Sequence, residues 1–551
     1  LAVLSLLGLV VAAIMVTESS ARSQWDNNLL LALADRVNRL GGTYFTTAVG
    51  QKGPIWQGLF DLAVTVTSRR DAWWAISAIT VSLSALTGAA VSALLRAAGT
   101  RVWVAVTVGI ATAVFMWFGY EDWAFGLYSR NIVILFTTVS LALLVAGTRA
   151  SGYARIVAIV MAAVLLGLAV QTNQGSALVA PFELAVLWVL ARTPGPNQLS
   201  IRKLVGLCVL FVVVATVALA SAALWYLYKG VFDDFWLLWW EHNFQYTEGT
   251  GRSYVGIAQK GLLDFVDYYS ARPLFTLTIV AYATGYLLAF HSLSSWEKRL
   301  GILLVVWWLI EAAGVVLSQR FFPHYLVLPF VPVAVMAGAL LHKVTEWVDS
   351  RTTLRPEAKF AVAMAIIVVV LTMHAGRVAS GISKTINFRG FDRAAAARDA
   401  RLSPVDAHLR QVVDTWSSPD DLVLAWRDYP HHWEVIQRTS ATRYVDVHGL
   451  TGYIYGGVRS PEYILPGIWQ NWIVDLIEST PPLLITFADE PVPEGSPVES
   501  LIDCGYVPVA HQPEAWTVYT ATEELDRCLK LVADEIEADA QGPQVWAIPA
   551  E

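Results

Sequence analysis

Asp26 and Lys52 stand near the two ends of one polar stretch, Ser23 to Trp56, in a chain that is otherwise strongly apolar. A positioned carboxylate can act as a general base, and an ammonium group can hold a developing negative charge. Charges kept at a membrane boundary are therefore candidate chemistry. The same residue types recur downstream: Glu121 and Asp122 in GYEDW, Glu241 and His242 in WLLWWEHNFQY, Arg252 in TGRSY, and Arg320, His324 and Tyr325 in QRFFPHY. Each has an ordinary alternative. Asp26 ahead of LLLALADRV suits a helix start, Lys52 a snorkelling interfacial anchor, and Glu121 or Asp122 a helix cap. His324 and the Trp236–Trp240 cluster suit an interfacial belt. Gln171, Asn173 and Gln174 offer hydrogen bonds to hydroxyl groups or to each other.

What must position these residues follows from composition. The chain has 551 residues, is 56% hydrophobic with 23 Trp, and has a mean hydropathy of +0.51, values that describe an integral membrane protein and not an ordinary soluble globule. A net charge of −7 offers no basic footprint, which excludes nucleic-acid partners. Three cysteines exclude a disulfide scaffold, and no Cys/His spacing suggests zinc. The chain opens on Leu1 inside an apolar run, which reads as a first helix already under way.

Apolar runs near the roughly 20 residues that a bilayer needs mark the spans. They are Leu1–Val16, Ala72–Leu95, Val102–Phe118, Asn131–Gly147, Ile156–Val170, Ala177–Leu190, Leu204–Tyr228, Pro273–Phe290, Leu300–Leu317, Tyr325–Leu341 and Phe360–His374. The run Ile55–Thr67 is short, and its placement decides the parity of everything after it. If it crosses, Arg96, Arg101, Arg149, Arg155, Arg192, Arg202 and Lys203 are all exported. If it lies along the interface, they are all cytoplasmic, and only Arg69 and Arg70 stand out as exceptions. The positive-inside rule selects the interfacial placement. About eleven spans result, with the C-terminus outside. The outer loops, notably 17–71 and the long 229–272, then collect the candidate residues on one face.

Beyond residue 380 the charged residues return, and short strand patterns (Leu422–Trp426, Arg443–Val447, Leu483–Phe487, Tyr506–Val509, Trp516–Thr520) alternate with helical ones (Ala394–Ser417, Pro430–Arg438, Pro461–Ser479, Glu523–Glu537). The expected fold is thus an all-α polytopic membrane module over residues 1–380 and an extracytoplasmic α/β domain over 381–551. The soluble domain lacks nucleotide-binding, hydrolase and metal motifs and reads as a cap. Its cysteines, Cys504 and Cys528, are expected to pair in an oxidising compartment, and Cys208 reads as inert packing in an apolar helix.

The order of these features resembles the GT-C glycosyltransferases, in particular the branch of protein O-mannosyltransferases and lipid A aminoarabinose transferases. The features are Asp after the first helix, an amphipathic segment Leu29–Leu40, Lys-x-Pro before a short interfacial helix, the acidic GYEDW turn, the aromatic WLLWWEHNFQY loop and QRFFPHYLVLPFVP entering a late helix. The likeness covers roughly residues 1–345. It implies a polyprenyl-phosphate sugar as donor, a cell-envelope glycan, lipid or protein as acceptor, and no cofactor. Within it Asp26 matches the first-loop acid expected to be the base, and Glu121 or Asp122 the acid of the second outer loop. Lys52, Arg320, His324 and Tyr325 match donor-phosphate contacts, and Glu241, His242 and Arg252 fall in the substrate loop. Asn27 and Asn28 follow Asp26 where the branch often has a second acid, which disfavours a metal bridged by paired carboxylates.

Ala/Val/Arg-rich, Lys-poor usage points to a high-GC bacterium, of the actinobacterial kind, and joined to the resemblance this implies a chain in the plasma membrane, at work on the cell wall. The competing classes are a lipid-linked sugar transporter or flippase and a non-catalytic envelope-assembly protein. A carrier calls for charged or broken helices at mid-bilayer, or internal repeats. Neither stands out in the sequence, where polar residues gather at one face.

Overall fold

The computed structural model describes residues 25–50, 52–67, 72–118, 127–194, 197–241, 254–270, 273–317, 325, 327–351 and 402–539, the last with gaps at 428–429, 431, 452, 455–457, 460–463 and 465–466. Among the described residues the main helices of the first part are α1 (Trp25–Leu40), α2 (Pro54–Val66), α3 (Ala72–Ala98), α4 (Val102–Phe118), α5 (Ser129–Arg149), α6 (Gly152–Thr172), α7 (Val179–Ala191), α8 (Ile201–Tyr228), α9 (Tyr254–Ser270), α10 (Pro273–Ala289), α11 (Ser295–Leu317) and α12 (Phe330–Arg351), with a single turn at Phe232–Phe235 after α8. Among the described residues seven helical segments are long and apolar enough to cross a membrane: α3, α5, α6, α7 with the 3₁₀ turn before it, α8, α11 and α12. Shorter apolar helices occupy Val102–Met116 and Thr276–Ala289. The chain is a multi-pass membrane protein. The expected spans Leu1–Val16 and Phe360–His374, and the boundary at 380/381, lie outside the described residues.

The short run is a helix of 13 residues. At 1.5 Å per residue it is roughly 20 Å long, short of a ~30 Å hydrocarbon core. Its start lies beside the start of α1, where Lys52 pairs with Asp26. Its far end lies beside the end of α1, where Asn38 Nδ2 donates to Thr65 Oγ1 at 2.7 Å. The two helices run side by side in one direction, and α1 is bound to the soluble domain.

The basic residues assigned to one side do assemble at the opposite end of the bundle. Arg149 Nη2 donates to Ala98 O at 3.5 Å, Asn197 Nδ2 to Arg149 O at 2.7 Å, Arg155 Nη2 to Asn197 O at 3.3 Å, and Arg299 Nη1 to Val189 O at 2.9 Å.

Two expectations change in the apolar part. The described residues of the 229–272 stretch are largely helical and not open loop: a π-helical turn, Trp236–Glu241, and the 17-residue α9 lie within it. The last of the described apolar helices begins at Phe330 and not Tyr325, because Pro329 precedes it and Pro332 fits its first turn, where an amide donor is not needed.

The soluble part contains α13 (Pro404–Trp416), β1 (Leu422–Trp426), β2 (Thr439–Ser440), β3 (Tyr453–Ile454), β4 (Val458–Arg459), α14 (Ile468–Ser479), β5 (Leu483–Phe487), α15 (Pro497–Gly505), β6 (Tyr506–Gln512), β7 (Trp516–Ala521) and α16 (Leu525–Asp539). Its five-stranded sheet has the order β2-β1-β5-β7-β6. The β2/β1 and β1/β5 pairs are parallel, β5/β7 and β7/β6 antiparallel. Continuous apolar sequence suits LVLAW and LLITF to inner positions buried on both faces, and β7 is the third inner strand. Pro508 sits on the edge strand β6 at a register shift, where a missing ladder donor is tolerated.

Arg443–Val447 is not a strand. Its backbone groups go elsewhere: Arg443 N donates to Asp475 Oδ2 at 2.7 Å, Arg443 O accepts from Val49 N at 2.8 Å, and Val445 O accepts from Trp433 Nε1 at 2.7 Å. The helix expected from Pro461 starts at Ile468, after Gly467 takes a left-handed φ of 67°. The helix expected over Ala394–Ser417 is described as α13 alone, that over Pro430–Arg438 is a short His432–Ile436 turn, and α15 is an addition. Cys504 and Cys528 form a disulfide with Cα atoms 5.9 Å apart, and Cys208 is a free thiol on α8.

Candidate active site

Asp26 occupies the first turn of α1, and Lys52 lies one residue before Gly53, the N-cap of α2. Lys52 Nζ approaches Asp26 Oδ1 to 2.6 Å, with side-chain exposures of 18% and 20%. The ammonium also lies 5.6 Å from the centroid of the Trp56 ring. The pair is thus partly shielded and still open to an incoming group. Asn27 and Asn28, the next two residues, are buried.

Two contacts fix the helix start that carries Lys52. Trp56 Nε1 donates to Leu127 O at 2.7 Å, tying α2 to the entrance of α5. On the other side, Gly53 lies so close to the end of α6 that an added Cβ would collide with Gln171 O and stand only 2.5 Å from Thr172 O. Glycine is needed here for close approach and not for an unusual φ, which is −64°.

The loop between α1 and α2 is held from both directions. Phe45, at φ 76° and 1% exposed, inserts its ring edge-on against Tyr226 (5.0 Å) and Phe235 (5.6 Å). Phe235 in turn stacks on Trp239 at 5.1 Å. Toward the soluble domain, Asp35 Oδ2 accepts from Thr439 Oγ1 at 2.6 Å, and the buried Arg36 donates to Thr47 O at 2.6 Å and also to Ser440 O. Burial pulls the Arg36 guanidinium down to about 10, which leaves it charged at neutral pH. Arg39 Nη1 reaches Pro419 O at 3.1 Å. One hydrophobic core runs from α1 and α2 through the aromatic turn into the sheet, including Phe60, Trp239, Val413 and Ile485.

Glu241 is exposed, and its Oε1 accepts from Trp236 Nε1 at 3.0 Å. The neighbouring Asp234 carboxyl is raised by burial, against the pull of Arg443. Gln171, Asn173 and Gln174 are engaged by protein groups: Gln171 Nε2 by Ser221 Oγ at 2.9 Å, Asn173 Oδ1 by Gly175 N at 3.0 Å, and Gln174 Nε2 by Trp239 O. Tyr325 stacks beneath Arg130, whose Cζ lies 4.4 Å from the ring centroid. Glu121, Asp122, His242, Arg252, Arg320 and His324 lie outside the described residues. Within the described residues no three potential metal ligands converge.

Sequence reasoning missed Arg130, although it carries a signal. It sits at the start of a span, at the end of the bundle away from the Arg149, Arg155 and Arg299 group, where a lone cation stands out. It also missed two carboxylates inside the bundle, which corrects the reading that polar groups keep to one face. Glu183 of α7 is fully buried and accepts from Ser140 Oγ at 2.7 Å. Glu311 of α11, 4% exposed, accepts from Trp307 Nε1 at 3.0 Å.

No protein-family model and no curated protein sequence matches the chain. Among solved structures it is similar to ArnT from Cupriavidus metallidurans bound to undecaprenyl phosphate, at 14% identity over 95% of this chain and 97% of that one, with a TM-score of 0.51. The apo form of the same protein gives 14% identity, the same coverage and 0.50. The Archaeoglobus fulgidus oligosaccharyltransferase AglB, in complex with an inhibitory peptide and a dolichol-phosphate, gives 12% identity over 95% of this chain and 74% of that one, with a TM-score of 0.45. The fold is therefore that of ArnT, the lipid A aminoarabinose transferase, and it agrees with the GT-C architecture that the sequence resembles.

Proposed function

We propose that the protein is a membrane glycosyltransferase that moves a sugar from a polyprenyl-phosphate donor to an acceptor hydroxyl, with Asp26 as base and Lys52 at the donor phosphate. The observation that carries this reading is the Asp26–Lys52 pair at the starts of α1 and α2, with α1 bonded to the soluble domain through Asp35 and Thr439. The ArnT structure of the same fold holds undecaprenyl phosphate, which supports the lipid carrier.

The chemistry needs two things. The acceptor oxygen bonds to the anomeric carbon as that carbon's bond to the phosphate oxygen breaks. The bonding electrons leave with the phosphate, and the hydroxyl proton passes to Asp26. A base of this kind contributes about 10²- to 10⁴-fold, and fixed cations stabilise the charge growing on the leaving oxygen. In the resting pair, Lys52 occupies the Asp26 oxygen. A donor phosphate that draws the ammonium to itself frees the carboxylate for the acceptor, so donor binding prepares the base.

Arg320 and His324 are proposed to complete the phosphate seat, with Tyr325 beside them. Glu121 or Asp122 is proposed as a second acid, and Glu241, His242 and Arg252 as contacts to the substrates. The soluble domain is proposed to be extracytoplasmic and to shape acceptor entry, in a bacterial plasma membrane.

The test is Asp26→Asn in the purified full-length chain. Sugar transfer from a polyprenyl-phosphate donor should fall by about 10² to 10⁴ while folding and lipid binding persist. Unaltered turnover would refute the assignment. A carrier is the second reading, because Glu183 and Glu311 lie inside apolar helices, where carboxylates often serve transport. Flipping of a lipid-linked sugar in proteoliposomes that is lost in Glu183→Gln, with no transfer at any stage, would favour it.

A further inference from the structure

Arg130 is the second residue of α5 and is 8% exposed. Its Nη1 donates to Asn173 Oδ1 at 2.7 Å, and its flat face lies on Tyr325, but its Nε is buried with no hydrogen-bond partner among the described residues. Ser176, 4% exposed, likewise has a buried Oγ without a partner among them. Buried polar groups are nearly always satisfied, and leaving a charged one unsatisfied costs more than a neutral one. The two groups lie at one place. Asn173, which holds Arg130, caps the 3₁₀ turn that contains Ser176, and a Cβ on Gly175 would lie 3.8 Å from Arg130 Nη1.

This spot adjoins Lys52. Gly53 packs directly on the carbonyls of Gln171 and Thr172, next to Asn173, and Trp56 is bonded to Leu127, three positions before Arg130. Among the described carboxylates, Glu311 feels the Arg130 charge at range, and its own hydrogen bond goes to Trp307. A guanidinium with an open N–H and a hydroxyl beside it fits the tetrahedral oxygens of a phosphate.

We propose that Arg130 and Ser176 form part of the donor-phosphate seat, Arg130 donating through Nε and Ser176 through its hydroxyl, beside the Lys52 ammonium. The proposal rests on the transferase reading above and adds to it a cation and a hydroxyl that the bundle itself supplies.

The experiment measures binding of undecaprenyl phosphate to the full chain in nanodiscs, with farnesol and inorganic phosphate as comparison probes. Arg130→Gln should weaken undecaprenyl phosphate binding about 10- to 100-fold, Arg130→Lys less, and Ser176→Ala about three- to tenfold. Farnesol binding should not change. If Arg130→Gln lowers the melting temperature but leaves lipid-phosphate affinity intact, Arg130 is a structural counter-ion of Glu311 and the proposal falls. It falls equally if only inorganic phosphate binding is lost, which would make the seat one for the free ion. Should Arg130→Gln fail to fold, Ser176→Ala decides: unchanged lipid-phosphate affinity in that variant overturns the proposal. Asp26→Asn separates this inference from the broader reading. An inactive Asp26→Asn with Arg130→Gln binding intact removes only the Arg130 seat, whereas normal turnover in Asp26→Asn removes the transferase itself.

Discussion

Lys52 Nζ and Asp26 Oδ1 are 2.6 Å apart, so a phosphate-seeking cation and a proton-seeking carboxylate occupy each other in the resting protein. Ion pairs open to solvent contribute about 1 kcal/mol or less, and this one is partly exposed, so an anionic lipid phosphate can displace the carboxylate at little cost. Removing the competitor should therefore strengthen donor binding. Asp26→Asn is expected to bind undecaprenyl phosphate about two- to fivefold more tightly than the natural chain, in line with the loss of a contact worth about 1 kcal/mol or less. Titration in nanodiscs checks this. Weaker binding would mean that the carboxylate positions Lys52 and does not compete for it.

Gly53→Ala should disable the site without unfolding the chain. The new Cβ meets the fixed carbonyls of Gln171 and Thr172 and not the end of a flexible side chain, so the start of α2 must move and take Lys52 with it. Overpacking of this type costs about 1 to 3 kcal/mol. Transfer should drop at least tenfold with a higher KM for donor, since a misplacement of an ångström is enough to erode catalysis. Kinetics beside a thermal melt test it.

Much of the fold was legible because apolar runs and strand alternation are local patterns. The helices from Ala72 to Leu317, and the strands at Leu422–Trp426 and Leu483–Phe487, emerge from them with shifts of a few residues at helix ends. The Asp26–Lys52 proximity was legible only through the resemblance, since no periodicity joins residues so far apart in the chain. Asp35 and Thr439, 404 positions apart, could not be joined by any local pattern. Arg130 was passed over because one cation at a helix entrance looks like an ordinary flank, and Glu183 and Glu311 because a single acid barely lowers the hydropathy of a long span.

Asp475→Ala should loosen the soluble domain from the first loop. Asp475 is 5% exposed and is bonded to Arg443 through Nη2 at 2.7 Å and through the backbone amide at 2.7 Å. The carbonyl of the same Arg443 receives Val49 N. Removing one partner of a buried pair costs about 3 to 5 kcal/mol. Limited proteolysis should cut the soluble domain faster, and transfer should fall with it. Unchanged proteolysis would show that the core from Phe60 to Ile485 holds the two parts together without this pair.

Cys504→Ser with Cys528→Ser should lower the stability of the soluble domain by about 2 to 4 kcal/mol, because the bond closes a loop with a sequence separation of 24. Intact mass of the natural chain under non-reducing conditions should show both thiols consumed. Finding them free in native protein would remove the disulfide and this prediction together.

Asp61 supplies the pH test. Burial on α2 raises its carboxyl above the ordinary range, and the Asn38 amide, 3.4 Å away, opposes that rise. A raised folded-state value means that folding favours the protonated form. The contribution of Asp61 is therefore fully present below the ordinary carboxylate value and is lost as pH rises through the elevated one. Above that window the ionised, half-buried carboxylate is a standing cost to the α1–α2 contact. Asp61→Asn removes the titrating proton and retains a group that can bond Asn38, so the variant should be the more stable at neutral pH, and the difference should vanish in acid. Melting curves of both proteins from neutral to acid pH measure the difference directly, and a gap that widens in acid would contradict the sign that burial of this carboxyl dictates.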